Sequence, residues 1–283
     1  MILKALFERI PAVLCQGSWD TDIASIAMCS KEVTNNGLFI CIKGMEQDGH
    51  QYIQEAAERG AAACLVEEAF WKKSASVHGN LKQAEKKTSA YGELKLPEQM
   101  TIVSVQNTRE AAAWAAAAFY RYPSKELKVI GITGTKGKTS TTFMIRDILE
   151  AAGYKTGLLG TIDYEIGEEK KRAERTTPEA IDIQRYLRKM ADRGCRFAVM
   201  EVSSQGLKLH RSDGILFDVG VFTNLGSDHI GPKEHKDMAE YAHYKSLLFQ
   251  KCCFGIGNID DPYYREIFKD ASCQVCTYSC RQK

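Results

Sequence analysis

The spacing of apolar and polar positions changes partway along the chain. In the N-terminal part, residues 37–42 (Gly37-Leu38-Phe39-Ile40-Cys41-Ile42) form a short apolar run after a turn signal, which predicts a buried strand. Residues 52–59 have helical spacing and stop at Gly60, the residue type that commonly follows a helix. Residues 61–66 predict the next strand. Residues 71–99 turn polar and Lys-rich, with Gly, Ser and Asn interspersed, which predicts a solvated insertion or long surface loop. Strand character returns at 101–105, and 109–122 is an Ala-rich helix that ends before Pro123 and bridges to the second half of the chain.

From Leu127 onward, strand and helix alternate. Residues 129–133 predict a strand, 138–152 a helix closed by Gly153, and 156–162 another strand. Residues 178–193 predict a helix with Pro178 in its first turn and Gly194 after its end. Two further buried strands fall at 197–202 and 219–223, and residues 237–250 predict a helix. This alternation argues an α/β fold with a mainly parallel sheet covered by helices on both faces. The expected domains are 1–124, a small α/β unit with its linker helix, and 125–283.

Composition narrows the class. With 283 residues, 44% hydrophobic and 26% charged, the chain is ordinary globular protein rather than disordered or fibrous. A net charge of +2 builds no broad positive field, so no nucleic-acid partner is expected. The longest apolar run, 111–119, is too short to cross a bilayer, and Lys4, Glu8 and Arg9 interrupt any signal-peptide core. A cytoplasmic monomer with no membrane association is expected. The ten cysteines are scattered, and Cys273-x-x-Cys276-x-x-x-Cys280 lacks a convincing fourth ligand, so they read as reduced thiols without a metal.

The main chemical motif is Gly131-Ile132-Thr133-Gly134-Thr135-Lys136-Gly137-Lys138-Thr139-Ser140, between a predicted strand and helix. Glycines let backbone N–H groups curl around phosphate oxygens, and the helix presents its positive end. Lys138 would reach the terminal phosphates and the Thr139 hydroxyl would face Mg²⁺. The spacing departs from a strict Walker A, because Ile132 stands where the first Gly belongs. A nucleoside triphosphate site is expected, held by Gly134, Thr135, Lys136, Gly137, Lys138, Thr139 and Ser140.

Other constellations read two ways on their residues alone. Thr176-Thr177-Pro178-Glu179 is either a plain helix cap or a holder of anionic groups at the helix's positive end. Glu201, at the end of an apolar strand, either caps local backbone or points into the crevice as a Mg²⁺ ligand. His229, just after a strand-end Asn224 and near Asp228, is either structural or a ligand. Lys245 falls in the apolar stripe of Met238, Tyr241, Ala242, Leu248 and Phe249, where its stem would lie on the core with its ammonium in water.

The loop Thr133-Gly134-Thr135-Lys136-Gly137-Lys138-Thr139 resembles that of the Mur ligases, and most of all the UDP-N-acetylmuramoyl-tripeptide synthetases among them. The resemblance covers nearly the whole chain. It includes Thr176-Thr177-Pro178, Glu201-Val202-Ser203-Ser204, Asp228-His229, Asn258-Ile259-Asp260-Asp261 and, near the start, Ser30 and Asp48-Gly49-His50. It departs at Lys136, where the family usually has Asn, at Leu209, at Ser227 and through the variant loop 230–236.

The resemblance implies a UDP-sugar-binding first domain with a uridine contact at Ser30. It implies a central ATP-binding domain in which Asn258 lies near the nucleotide, and Thr176, Thr177, Ser203 and Arg211 bind the muramoyl-dipeptide. It implies Lys138, His229 and Lys245 as catalytic, and Thr139, Glu201, His229 and Lys245 as the metal side. Lys245 would be carbamylated by CO₂, and the cofactors would be ATP and two Mg²⁺. The implied activity is an ATP-dependent amide-forming ligase, active in peptidoglycan assembly. It joins a diamino acid to UDP-N-acetylmuramoyl-L-alanyl-D-glutamate through an acyl phosphate. Family members carry a third, C-terminal ligase domain, and the chain is expected to stop before it. A folylpolyglutamate synthetase-like ligase is the rival enzyme, and a non-catalytic nucleotide- or UDP-sugar-binding module is the rival outside catalysis.

Overall fold

The computed structural model describes residues 1–44, 47–78, 97–231 and 234–281. They divide into two compact units, Met1–Phe119 and Tyr120–Lys283.

The first unit contains α1 (Leu3–Leu6), β1 (Val13–Gln16), β2 (Ser25–Ala27), β3 (Gly37–Ile40), α2 (Ile53–Glu58), β4 (Ala61–Glu67), α3 (Glu68–His78), β5 (Thr101–Val105) and α4 (Thr108–Phe119). Its sheet has the order β1-β5-β4-β3-β2, parallel from β2 to β5, with β1 antiparallel at one edge. Every residue of β3 and β5 is buried, the condition that gives parallel strands a continuous apolar sequence. The loop expected at 71–99 is helical at its start, because α3 runs to His78; residues 79–96 of it lie outside the described residues. Helix α4 ends at Phe119 rather than at 122. Arg121 and Tyr122 take left-handed φ values of 61° and 51°, which a right-handed helix cannot continue through.

The second unit contains β6 (Lys128–Thr133), α5 (Lys138–Ala151), β7 (Thr156–Leu159), β8 (Asp163–Ile166), β9 (Glu169–Arg172), α6 (Ala180–Asp192), β10 (Phe197–Glu201), α7 (Ser204–Lys208), β11 (Phe217–Phe222), α8 (Met238–Ser246), β12 (Cys252–Asn258), α9 (Tyr264–Phe268) and β13 (Gln274–Tyr278). The sheet order is β13-β12-β11-β6-β10-β7-β8-β9, parallel from β13 to β7 and antiparallel through β8 and β9. Helices cover both faces, as the alternation predicted. On one face, Ile145 and Leu149 of α5 pack on Ile132, Val199 and Val221. On the other, Ile183, Leu187 and Met190 of α6 share a core with Ala198, Met200, Phe217 and Tyr241.

Besides shifts of one or two residues at other ends, three boundaries differ from the sequence reading. Strand β7 stops at Leu159, and the chain then turns into the β8–β9 hairpin. Helix α6 begins at Ala180 with an extended Glu179 as its cap, so Pro178 precedes the helix instead of opening it. Helix α8 ends at Ser246 and tightens into a 3₁₀ turn, Leu247–Gln250. Among the described residues, no helix is long and apolar enough to cross a membrane.

The central strand β6 tolerates no side chain at Gly131. A Cβ there would lie 2.8 Å from two ring carbons of Phe217 and 3.2 Å from Leu248. Phe217 is fully buried and cannot swing away. Gly131→Ala should therefore lose about 1–3 kcal/mol of stability. The expected result is a lower urea midpoint with an unchanged slope.

Candidate active site

Parallel register sets the carboxyl ends of three strands level. Glu201 of β10 pairs with Ile132 of β6, and Phe222 of β11 pairs with Thr133. Because β6 sits between β10 and β11, the strand order reverses here, and a crevice opens where parallel sheets bind ligands.

The predicted phosphate loop fills the step from β6 to α5. Gly134 and Gly137 have φ values of 151° and 83°, and a Cβ at Gly134 would sit 1.9 Å from Thr223 Oγ1. Only glycine fits there. The end of β11 braces the loop: Thr135 N donates to Asn224 O (2.8 Å), Lys136 N to Asn224 Oδ1 (2.9 Å), and Thr223 Oγ1 to Lys136 O (2.8 Å). Asn258 supports that brace, donating from Nδ2 to Thr223 O at 2.9 Å. The Lys136 ammonium pairs with Asp228 and holds its carboxyl below the usual range.

Two lysines converge on one carbonyl. Lys138 Nζ donates to Gly134 O (2.9 Å) and Thr135 O (3.0 Å), and Lys245 Nζ donates to Gly134 O (2.9 Å). Lys245 is 1% exposed and lies 4.5 Å from the Tyr241 ring centroid, so its ammonium does not reach water. Burial, and then the charge of Lys138, push its pKa well below the ordinary 10.5. Lys138 is lowered too, by burial first. Tyr241 joins this group to the loop through a 3.2 Å hydrogen bond between its hydroxyl and Thr135 Oγ1.

Glu201 is fully buried and accepts from Thr139 Oγ1 (3.1 Å), Thr161 N (2.8 Å) and Thr161 Oγ1 (3.1 Å). A Cβ on Gly160 would stand 2.6 Å from Glu201 Oε1. Thr139 with Glu201 is a hard-oxygen pair, suited to Mg²⁺, which keeps several waters and takes phosphate oxygens as further ligands. Among the described residues, no group of three or more His, Cys, Asp or Glu side chains could hold a metal ion, the C-terminal cysteines included.

Thr176, Thr177, Ser203, Arg211 and His229 line one cavity of about 210 Å³ together with Lys138 and Lys245. Within it, several predicted contacts serve as braces. Thr177 Oγ1 donates to Glu201 O and accepts from Ser203 N, both at 3.0 Å. Ser203 Oγ caps α7 by accepting from Gly206 N at 3.0 Å. The Arg211 guanidinium bonds Thr177 O (3.1 Å) and Glu179 (2.7 Å) and so holds the Thr-Thr-Pro segment. His229 is half exposed, with Nδ1 2.8 Å from Glu234 Oε1 and a left-handed φ of 67°. In the first unit, Ser30 is buried, and its hydroxyl donates to Glu55 Oε2 at 2.8 Å.

Sequence reasoning missed Thr161, Asn224, His235 and the hydroxyl role of Tyr241. Thr161 was hidden inside an overlong strand. Tyr241 was assigned to a core stripe because an aromatic at helical spacing gives no sign of its hydroxyl's partner.

The depressed Lys245 pKa fixes a pH signature. The unfolded chain holds a proton on this amine up to about pH 10.5, while the folded chain gives it up earlier, so stability rises with pH in that window. In CO₂-free buffer, Lys245→Met should be more stable than wild type at neutral pH. That advantage should shrink as pH climbs toward about 10. Urea unfolding of both proteins across the range checks this; a constant difference contradicts it.

Comparison with known proteins accounts for both units. Residues 22–120 match the Mur ligase family catalytic domain, and residues 132–283 match the Mur ligase middle domain. The chain is 39% identical over 281 residues to UDP-N-acetylmuramoyl-L-alanyl-D-glutamate--2,6-diaminopimelate ligase 2 of Clostridium acetobutylicum, covering 98% of this chain and 53% of that protein. It is also 39% identical over 285 residues to the Bacillus licheniformis ligase named for the same reaction, covering 98% and 52%. The chain therefore spans about half the length of the curated relatives it matches. A solved structure of such a diaminopimelate ligase superimposes with a TM-score of 0.73 at 21% identity, covering all of this chain and 53% of the other. A Thermotoga maritima relative solved with ADP gives 0.52 at 20% identity, covering 91% and 51%. Those two show the shared fold, and the family models and curated relatives go further: the chain belongs to the Mur ligase family.

Proposed function

We propose that this chain forms the UDP-sugar-binding and ATP-binding parts of a ligase that extends UDP-N-acetylmuramoyl-L-alanyl-D-glutamate by one diamino acid. The names of its relatives favour 2,6-diaminopimelate as that amino acid. The observation that carries the reading is the convergence of Lys138 and Lys245 on Gly134 O, beside the Thr139–Glu201 pair.

The chemistry follows from those groups. A substrate carboxylate attacks the γ-phosphorus of ATP, ADP leaves, and an acyl phosphate forms. The incoming amine then attacks the acyl carbon, phosphate leaves with the bonding pair, and the amine loses its proton. Phosphoryl transfer depends mostly on positioning and charge. Lys138 supplies a cation at the terminal phosphates, and the loop glycines let backbone N–H groups approach. Mg²⁺, when bound with the nucleotide, would neutralise phosphate charge, with Thr139 and Glu201 as its protein oxygens. Thr176, Thr177 and Ser203 lie where the muramoyl-peptide carboxylate has to approach, and Arg211 keeps that segment in place.

The low pKa of Lys245 gives it a second role. Its neutral amine can attack the carbon of CO₂ and lose a proton to solvent, which leaves a carbamate anion on a long arm. That anion, with His229, would complete the metal side. It would also remove the repulsion between two ammonium groups sharing one acceptor. Ser30 and the Asp48-Gly49-His50 turn support uridine recognition by the first unit.

Calorimetry tests the nucleotide half of the proposal. Wild type should bind Mg·ATP, and Lys138→Ala should bind it about 10–100-fold more weakly, the worth of one charge-assisted contact. Equal affinity sinks the assignment. In ¹³C-bicarbonate, the wild-type spectrum should gain a carbamate carbonyl signal that Lys245→Arg lacks. Its absence from wild type refutes the carbamate. Titration with UDP-muramoyl dipeptide should shift amide signals around Ser30; a silent first unit defeats the uridine assignment.

A further inference from the structure

The variant turn after β11 holds His229 at the cavity, yet His229 itself is weakly fixed. Its ring is half exposed, and it pairs with Glu234, a residue of the same turn. The turn is closed by a different residue. His235 N donates to His229 O (3.2 Å), Gly231 N donates to His235 O (2.9 Å), and Glu234 N donates to Gly231 O (3.1 Å). Both strands of the turn thus meet at the backbone of His235.

The His235 side chain is anchored elsewhere. Its ring is 1% exposed, and its centroid lies 5.0 Å from that of Tyr241 and 5.6 Å from that of Tyr244, both on α8. Its Nε2 is hydrogen-bonded to Ser204 Oγ of α7 at 2.9 Å. Among the described residues its Nδ1 has no hydrogen-bond partner; Glu240 Oε2 is 4.0 Å away. An imidazole that is buried and bonded at one nitrogen only is costly unless it fixes something. Here it joins three elements: the turn through its backbone, α7 through Ser204, and α8 through two aromatic rings.

We infer that His235 is a positioning residue, which locks the turn against α7 and α8 and so sets where the His229 ring stands at the cavity. The inference rests on the reading of His229 as a site residue. It adds that the height and direction of His229 are imposed by a neighbouring ring, almost fully buried in the wall of the same cavity. The same link is compatible with the residues of this turn departing from the family's usual pattern.

The test uses ring signals of the histidines in the chain itself, of which there are six. Wild type should show contact between His229 and Tyr241, whose ring centroids are 6.0 Å apart. In His235→Ala, the His229 signals should move to those of a freely exposed imidazole, and the contact with Tyr241 should vanish. His50, in the first unit, should not change. His235→Gln, whose amide can still reach Ser204, should restore most of the wild-type pattern. With nucleotide present, His235→Ala should also bind Mn²⁺ about tenfold more weakly, as loss of an outer support to a metal ligand does. Unchanged His229 signals in a folded His235→Ala chain overturn the inference. If that variant does not fold, Ser204→Ala removes only the side-chain link; it should shift His229 in the same direction, and no shift overturns the inference. A wild type that fails to bind Mg·ATP would defeat the ligase reading, while the histidine signals would still decide this one.

Discussion

The carbonyl oxygen of Gly134 accepts hydrogen bonds from two lysines, and the site is arranged around that shared acceptor. Lys138 comes from the first turn of α5 and Lys245 from α8, more than a hundred residues later, each at 2.9 Å. Two ammonium groups this close repel, and burial of Lys245 raises the cost of charging it. The loop conformation that brings the pair together needs a glycine at 134. Gly134 must take a φ of 151°, with no side chain against Thr223. The loop, α8 and the end of β11 are therefore fixed together, and an anionic group entering here relieves the repulsion and gains its charge-assisted contacts.

That constraint depends on the sheet behind it. The β6–β10 and β6–β11 registers keep Ile132 level with Glu201 and Thr133 with Phe222, which puts Thr139, Glu201 and Asn224 around one opening. A slip of one residue would exchange the side chains facing the two helix layers and move every strand-end group together. Gly131 and Gly160 show how little slack there is. One lets Phe217 lie against the central strand, and the other leaves room for the Glu201 carboxylate. The precision of the site comes from close packing of a parallel sheet rather than from its loops.

Much of this was legible in the sequence, for physical reasons. Parallel strands buried on both faces read as apolar runs, so β3, β6, β10 and β11 were visible. The glycines and Lys138 announced the phosphate loop, because few other tasks need a strand, a Gly-rich turn and a Gly-Lys-Thr junction together. The β8–β9 hairpin was not legible. β9 is Glu-Lys-Lys-Arg, exposed throughout, and carries no apolar alternation. The start of α6 was misplaced because Pro178 looks like a helix opener, whereas Arg211 and Glu201 hold the Thr177 segment ahead of the helix. Periodicity found the stripe around Lys245 and suggested an ammonium in water; only the fold shows Gly134 O as its partner.

The residues read as ligand contacts divide further once their partners are known. Arg211 is bonded to Glu179 and Thr177 O, Asn258 to Thr223 O, and the Ser30 hydroxyl to Glu55. Arg211 and Asn258 spend polar atoms on or beside the segments expected to touch ligand, and Ser30 spends its hydroxyl on α2. A site that stabilises developing charge must hold its donors still before substrate arrives, since every rearrangement at that moment subtracts from the stabilisation. Polar residues with strong motif signals are therefore as much the frame of such a site as its surface. Lys138, Thr139, Lys245 and His229 also have protein partners, so each would exchange or share a contact when a ligand enters. The same division explains why a motif can be recognised from its residues while the work of each residue is visible only from its partners.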